Sequence, residues 1–477
     1  MSSSLWNVNF AVTKTFRVLL LALISATLLF AQPSSTTHST GSMVGTSRNK
    51  VNASEEPLDV EGYPLAPPEL KLEQVHVYVR HGERTPVKVR LSDPPASIPE
   101  HWQLCHAARN FRELIAGPKC HDDEPIRVKK AVETREGLTA DGLCLLGELT
   151  DTGKESTFGY GAALRKLYVE RLGFLPDVLQ RNEQAYFRST NVPRTVESLQ
   201  HLVYGLYPAS KCLPEVVPAI LVRNGVDENL VSNTISCPRL AILELEFAEA
   251  AAALWNPTLE SLNGKVSKYL SGQPLQIDGK PRASGVLDTI RSATAHGFRV
   301  PPEFEEDDVI NTIETAVSSE WFAVKDEESR RLGMGRLLAD VSQKMQHKVK
   351  KGPQDPMKIL VHATHDSTLA ALCSTFDVFD EKWPPFTSSV TFELFKKQQP
   401  SNSPSSLQTL LGKAWKSHQP EHYVRMRYKN RNMVLPMCAE EGKHLPGSPE
   451  FCTLSAFQLR IKELTPTDWT AECKPRA

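Results

Sequence analysis

The sequence predicts an α/β fold, a sheet-bearing domain with an inserted, mainly helical region beside it. Three observations predict it. Short β-prone runs that end in a polar turn and lead into a helix occur at 185–188 and again at 359–363. Between Leu240 and Met345 the chain reads as helical, with no comparable strand interrupting it. The composition, 40% hydrophobic and 23% charged over 477 residues, is that of an ordinary globular chain.

Charge sets a first exclusion. The 55 Lys and Arg almost balance the 56 Asp and Glu, so no strongly basic surface is expected and nucleic acid is not the expected partner.

The N-terminus reads as a targeting segment, not as part of the fold. Val18 to Ala31 is apolar apart from Ser25 and Thr27, with Lys14 and Arg17 upstream and no acidic residue before Glu55. As a helix this run would span roughly 21 Å, short of the roughly 30 Å hydrocarbon core. A cleaved signal peptide over residues 1–31 is therefore the first reading and an uncleaved membrane anchor the second. A mitochondrial presequence ranks third, because such segments are richer in Arg and less continuously apolar. Residues 32–60 are rich in Ser and Thr, carry the sequon Asn52-Ala53-Ser54, and read as a solvated linker. The folded domain is expected over 61–477, with about 240–345 as the helical insertion, and the protein is expected in the secretory pathway, secreted or membrane-anchored.

All nine cysteines lie between Cys105 and Cys473, and none has CxxC or Cys/His zinc spacing. Disulfides in an oxidising compartment are expected, with one thiol left over.

Within the folded part, Gln74 to Arg80 alternates, with Val75, Val77 and Val79 on one face, and ends at Gly82. It is expected to be a strand running into a loop. After the run 185–188, Ser189, Thr190 and Asn191 offer N-caps and Pro193 suits a first helical turn, so a helix is expected to about Leu206. After 359–363, Asp366-Ser367-Thr368 can cap a helix through Leu372. Helices are also expected around 244–253, 264–270 and 328–345. His76 and His362 fall inside strands and read as structural.

The chemistry gathers at three strand ends: Arg80-His81-Gly82-Glu83-Arg84 after the first, Arg188 after the second, His365-Asp366 after the third. Ligands of open α/β sheets bind outside the carboxyl ends of the strands. Together these segments would supply three guanidinium groups, two imidazoles and a carboxylate beside two helix N-termini, an inventory suited to a phosphoryl group. Phosphoryl transfer asks the protein for positioning, charge stabilisation, a nucleophile and a proton for the leaving oxygen. Imidazole can be the nucleophile and Asp the acid. No GxxxxGK[ST] loop and no acidic cluster spaced for Mg²⁺ occurs, so neither a nucleotide cofactor nor a metal is expected.

These residues carry a resemblance. Arg80-His81-Gly82-x-Arg84-x-Pro86, Arg188-Ser189-Thr190 followed by Arg194-Thr195, and His365-Asp366 resemble the histidine acid phosphatase family of the phosphoglycerate mutase-like superfamily. Leu149-Thr150-Asp151-Thr152-Gly153, Gly335-Arg336-Leu337-Leu338 and Trp383-Pro384-Pro385-Phe386 extend it over most of the folded part. Phe187 to Asn191 and Phe379 to Phe386 resemble especially the lysophosphatidic acid phosphatase branch.

The resemblance implies a phosphoglycerate mutase-like α/β sandwich with a mixed, mostly parallel sheet and an inserted helical domain. It implies an acid phosphatase acting without cofactor, with His81 forming a phosphohistidine that water hydrolyses. Arg80, Arg84, Arg188 and His365 would hold the phosphate, and Asp366 would protonate the leaving alkoxide. Arg194 is left outside this contact set as a helix-supporting residue, and Glu83 is read as influencing substrate preference. Gly82 would let the backbone approach the His81 ring, so that a carbonyl accepts from Nδ1–H and Nε2 is free to attack. A protonated Asp366 implies an acidic optimum. The family's close C-terminal cysteine pair has no direct counterpart, and Cys438 with Cys452 is the expected pairing.

The expected substrates are phosphate monoesters, either broadly or with a lysophospholipid among them. A phytase-like inositol phosphate hydrolase is the enzyme alternative, disfavoured because the insertion lacks a dense Lys/Arg cluster. A mutase, or a phosphate- or lipid-binding module that has lost catalysis, represents the other classes.

Overall fold

A computed structural model describes residues 57–106, 110–112, 127–322, 326–398 and 421–476. The leader, nearly all of the linker with its Asn52 sequon, and Cys120 lie outside the described residues.

Valine alternation makes β1 (Leu70–Arg80) a strand with two buried faces, as a central position requires. It pairs in parallel with β4 (Ile359–Thr364), placing Val75 opposite Ile359 and Arg80 opposite Thr364. β2 (Ala185–Ser189) adds to the other edge of β4, and β3 (Ile220–Leu221) closes that side, both in parallel. On the opposite side of β1 lie β5 (Ser389–Lys397), β6 (His422–Tyr428) and β9 (Ser448–Thr453). Two short strands, β7 (Arg431–Met433) on β6 and β8 (His444–Leu445) on β9, complete a nine-stranded sheet.

The sheet is mixed, as expected, but it is not mostly parallel: three ladders are parallel and five antiparallel. Parallel neighbours need a long crossover, and helices supply it only as far as β4. The later strands return directly. β6 turns into β7 through Lys429 and Asn430, both at positive φ, the geometry of a two-residue hairpin.

Helices α1 (Asp151–Arg165) and α2 (Pro193–Leu206) cover one face, where Tyr160, Leu164, Leu199 and Leu202 pack on Val75, Val77, Val361 and Phe187. α2 has the expected span, but its N-cap is Val192, without a side-chain cap. The hydroxyls of Thr190 and Thr195 pair with each other instead, at 2.8 Å.

The segment expected as a helical insertion divides between two cores. α3 (Pro238–Glu260), α4 (Ala283–Ala295) and α5 (Asp307–Phe322) share a core with Ile98 and Trp102. α6 (Glu327–Lys351) instead lays Met334, Leu338, Val341 and Met345 on the second face of the sheet. α7 (Asp366–Thr375) and α8 (Leu454–Leu464) join it there, through Leu369, Leu372 and Phe457. Sequence periodicity did not separate α4 and α5, which are shorter and bounded by loops.

Cys438 pairs with Cys452 as expected, and Cys105–Cys144 and Cys237–Cys473 are further bridges. The expectation of a single leftover thiol is corrected, because among the described residues both Cys212 and Cys373 are free. Beyond β1, the fully buried pair Glu393–Arg425 also takes the hydroxyls of Tyr63 and Tyr168, at 2.7 and 2.8 Å on Glu393 Oε1. Burial of two charges is tolerated here because every lone pair facing inward has a donor.

Candidate active site

The period-two geometry of a strand decides which side chains meet at its end. In β1 the odd residues face α1 and α2, and the even residues, His76, Tyr78 and Arg80, face α6 and α7. His81 therefore leaves the strand toward α2, while Arg80 leaves toward the N-terminus of α7, where Asp366 sits. The two faces meet at the carboxyl edge of the sheet.

His81 is 1% exposed. Its Nδ1–H donates to the carbonyl of Gly82 at 2.8 Å, so Nε2 carries the lone pair. Burial first, and then the charges of Arg80, Arg84, His365 and Arg194, hold its pKa well below the ordinary value. A neutral, nucleophilic imidazole results. The expected carbonyl is present, but the reason for glycine differs. A Cβ on Gly82 would stand 2.3 Å from the carbonyl oxygen of Gly153, so glycine is needed for the close approach of α1.

Arg80 gives one terminal nitrogen to the carbonyl of Pro384 at 2.7 Å and the other to Asp366 Oδ2 at 2.7 Å, with its guanidinium 4.0 Å above the Phe386 ring. Arg84 pairs with Asp288 of α4 at 2.8 Å. The Nε–H groups of Arg80, Arg84 and Arg194 are buried and have no hydrogen-bond partner among the described residues. Donors buried without acceptors cost free energy, and an anion bound among them would recover it.

His365 presents its ring edge-on to His81, with centroids 5.6 Å apart, and its Nε2 lies 3.0 Å from the Thr190 hydroxyl. Burial, then Arg194, pushes its pKa down to about 4. It is a neutral hydrogen-bonding group over the useful pH range. His362, three residues earlier, stacks on Tyr78 at 4.4 Å on the far face and shares no site with it.

Asp366 is not the N-cap of α7 but its first residue, with His365 at the cap. Burial pushes its carboxyl up, yet Arg80 and Arg84, with His365 and the Trp383 indole, hold it below the usual carboxylate range. The indole Nε1–H donates to Oδ2 at 3.0 Å, and the Ser367 N–H donates to Oδ1 at 2.8 Å.

Arg188 is the one expected site residue that the structure does not bring into this group. As an even-face residue of β2 it turns toward α6 and pairs with Glu228, both side chains buried. The Glu228 carboxylate also accepts the N–H groups of Asn229 and Leu230, each at 2.8 Å. The third guanidinium among the charges that act on His81 is Arg194, in the first turn of α2. Burial, then Arg84, draws its pKa down to about 10. The signal that finds it in the sequence is parity. Arg188 and the core residue Phe187 have opposite parity, so Arg188 points away from the α2 side, while Arg194 opens the helix on that side.

A cleft of about 490 Å³ leads outward from Arg80 and Arg84, lined by Leu287, Ala295, Trp383, Pro385 and Phe386, with Lys382, Arg291 and Lys429 among its charges. Glu83 lies in the same cleft and accepts from the Ser156 hydroxyl at 2.5 Å.

The arrangement can bind a phosphoryl group, attack it with an imidazole nitrogen and supply a carboxyl group to the departing oxygen. Comparison with known proteins agrees with that chemistry. Residues 71–429 match the model of the histidine phosphatase superfamily (branch 2). A probable acid phosphatase of Schizosaccharomyces pombe is 35% identical over 445 residues, 86% of this chain and 95% of that protein. The human lysophosphatidic acid phosphatase type 6 is 26% identical over 421 residues, 85% of this chain and 86% of that protein. Among solved structures, the apo form of a Hafnia alvei phytase superposes with a TM-score of 0.54 at 14% identity, covering 86% of this chain and all of that one. At that identity the likeness speaks for the fold alone.

Proposed function

The chain belongs to the histidine phosphatase superfamily, branch 2, and is a histidine acid phosphatase hydrolysing small phosphate monoesters; from that premise we propose the mechanism and roles that follow. His81 Nε2 attacks phosphorus in line with the leaving oxygen, forming a P–N bond as the P–O bond breaks. Arg80, Arg84 and Arg194 hold the three non-bridging oxygens, with His365 as a neutral partner, and Asp366 delivers the proton to the departing alkoxide. In the second step Asp366, now ionised, takes a proton from the water that breaks the P–N bond.

The observation that carries this reading is His81 itself, tied through Nδ1–H to the Gly82 carbonyl with Nε2 free among the guanidinium groups. Labelled substrate quenched in base, which preserves the acid-labile P–N bond, is expected to leave the label on the Nε2 of His81. Label on any other residue would refute the assignment.

The depressed pKa of Asp366 fixes how the proton arrives. In the free enzyme Asp366 is ionised over most of the acid range, so the required proton enters on the substrate. A phosphate monoester has a second pKa of about 6, and below it the monoanion carries that proton into the site. Binding then neutralises the arginines and transfers the proton to Asp366. The alkaline limb of kcat/KM is therefore expected to track the substrate's second pKa, falling about tenfold per pH unit above it. Aryl and alkyl phosphates of different acidity check this, and one common limb for all would exclude it.

For the leaving group we infer a single-phosphate ester with an apolar portion, such as a lysophosphatidate. Ala295, Trp383 and Pro385 offer a surface for an acyl chain. In the same cleft Arg84 is answered by Asp288, Arg291 by Glu314 and Lys429 by Asp380, so its cations do not add up to the dense unpaired cluster that a highly phosphorylated inositol asks for. Lysophosphatidate is expected to exceed inositol hexakisphosphate in kcat/KM by on the order of tenfold or more, a margin worth about 1.4 kcal/mol. The reverse order would favour the phytase-like alternative.

Among the described residues no helix is long and apolar enough to cross a membrane. The apolar run at 18–31, the Asn52 sequon and three disulfides support placement in the secretory pathway.

A further inference from the structure

We propose that Trp383 is a positioning residue for proton transfer, holding the Asp366 carboxyl behind the leaving oxygen. The inference rests on the reading of Asp366 as the acid and adds the group that aims it.

The short segment Trp383–Phe386 touches the reacting groups at three points. The Trp383 indole N–H donates to Asp366 Oδ2 at 3.0 Å. The Pro384 carbonyl accepts from Arg80 at 2.7 Å, and the Phe386 ring lies beneath the Arg80 guanidinium and 5.8 Å from the His81 ring. Asp366 Oδ2 thus receives two donors, Arg80 and Trp383, whereas Oδ1 receives the N–H of Ser367. Charges from three neighbouring segments act on this carboxylate: Arg80 from β1, Arg84 from the loop after it and Arg194 from α2. Arg80 is also assigned to the phosphate oxygens, so the indole is the donor on Oδ2 that has no second duty toward the substrate.

The indole is itself held in place. Its ring packs on Phe322 at 4.8 Å and Trp321 at 6.0 Å, both from α5. Its backbone N–H donates to Glu314 Oε1 of α5 at 3.1 Å, and the other oxygen of Glu314 takes Arg291 of α4 at 2.7 Å. The acid on the sheet domain is thereby aimed by the helices that wall the cleft.

Replacing Trp383 with Phe keeps the packing and removes the donor. The effect of a misaimed acid depends on how much the leaving group needs a proton. 4-Nitrophenolate departs nearly unaided, phenolate less so, and an alkoxide requires the acid. With kcat/KM read as the phosphorylation step, Trp383→Phe is expected to lose on the order of 10²-fold on an alkyl phosphate. The loss on 4-nitrophenyl phosphate is expected to stay within about threefold, and phenyl phosphate, almost the same size, is expected to fall between. Trp383→His, which restores a ring N–H, is expected to recover part of the alkyl phosphate rate. Equal losses on all three substrates, or no loss on any, would overturn the proposal. A Phe variant that does not fold is replaced by Glu314→Ala, which frees the backbone of the segment, is read on the same substrates, and is held to the same graded loss. Asp366→Ala is run in parallel. If it shows no dependence on the leaving group, the acid assignment fails. If it does and the Trp383 variant does not, the positioning role alone fails.

Discussion

His81→Ala is expected to abolish turnover, lowering kcat by on the order of 10⁴-fold or more, and to leave no labelled enzyme after base quench. The size follows from the pathway. Without the imidazole there is no P–N bond to form, and water would have to attack from a site whose donors are arranged around a ring nitrogen. Binding is expected to persist, since the guanidinium groups of Arg80, Arg84 and Arg194 remain, so inorganic phosphate should still protect against thermal unfolding. A variant that still hydrolyses 4-nitrophenyl phosphate at the wild-type rate would defeat the mechanism. A variant that loses phosphate binding as well would show that His81 mainly organises the pocket.

The second large effect separates two arginines six positions apart in the sequence, Arg188 and Arg194. Arg194→Ala is expected to cost about 10²- to 10³-fold in kcat/KM, the usual loss for one donor to a developing charge, with little change in melting temperature. Arg188→Ala is expected to do the opposite. It leaves Glu228 buried without its cation, and breaking such a pair costs about 3–5 kcal/mol of stability. A variant that folds is expected to keep most of its kcat/KM. Melting curves and steady-state kinetics on both proteins check the assignment, which falls if the two sets of effects are exchanged.

That contrast shows where the sequence was legible. The strand at Gln74–Arg80, the helix at Pro193–Leu206 and the strand at 359–364 announce themselves because their apolar spacing matches one local period, and each is a short-range property of the chain. His81, Arg80, Arg84, His365 and Asp366 could be placed near one another because they stand where parallel strands end, and such ends lie on one edge of a sheet. The antiparallel half was less legible. Alternation marks a strand but does not say in which direction its neighbour runs.

Trp383 carried a motif signal without a role, because its partner Asp366 belongs to another loop and the contact exists only after α5 has seated the indole. The same limit applied to the proton. Sequence identifies Asp366 as an acid, but the balance between burial, which raises its pKa, and Arg80 and Arg84, which lower it, is a property of distances.

By itself the sequence determined the alternating and helical segments, the imidazole with its glycine, and the gathering of positive charge at three strand ends. Only the tertiary structure decided which arginine faces the imidazole, what aims the carboxyl group, and that Cys105–Cys144 and Cys237–Cys473 are bridged beside Cys438–Cys452. The physical reason is that the former depend on neighbours a few residues away, whereas the latter depend on which face of the sheet each side chain takes and on what the opposing helices place against it.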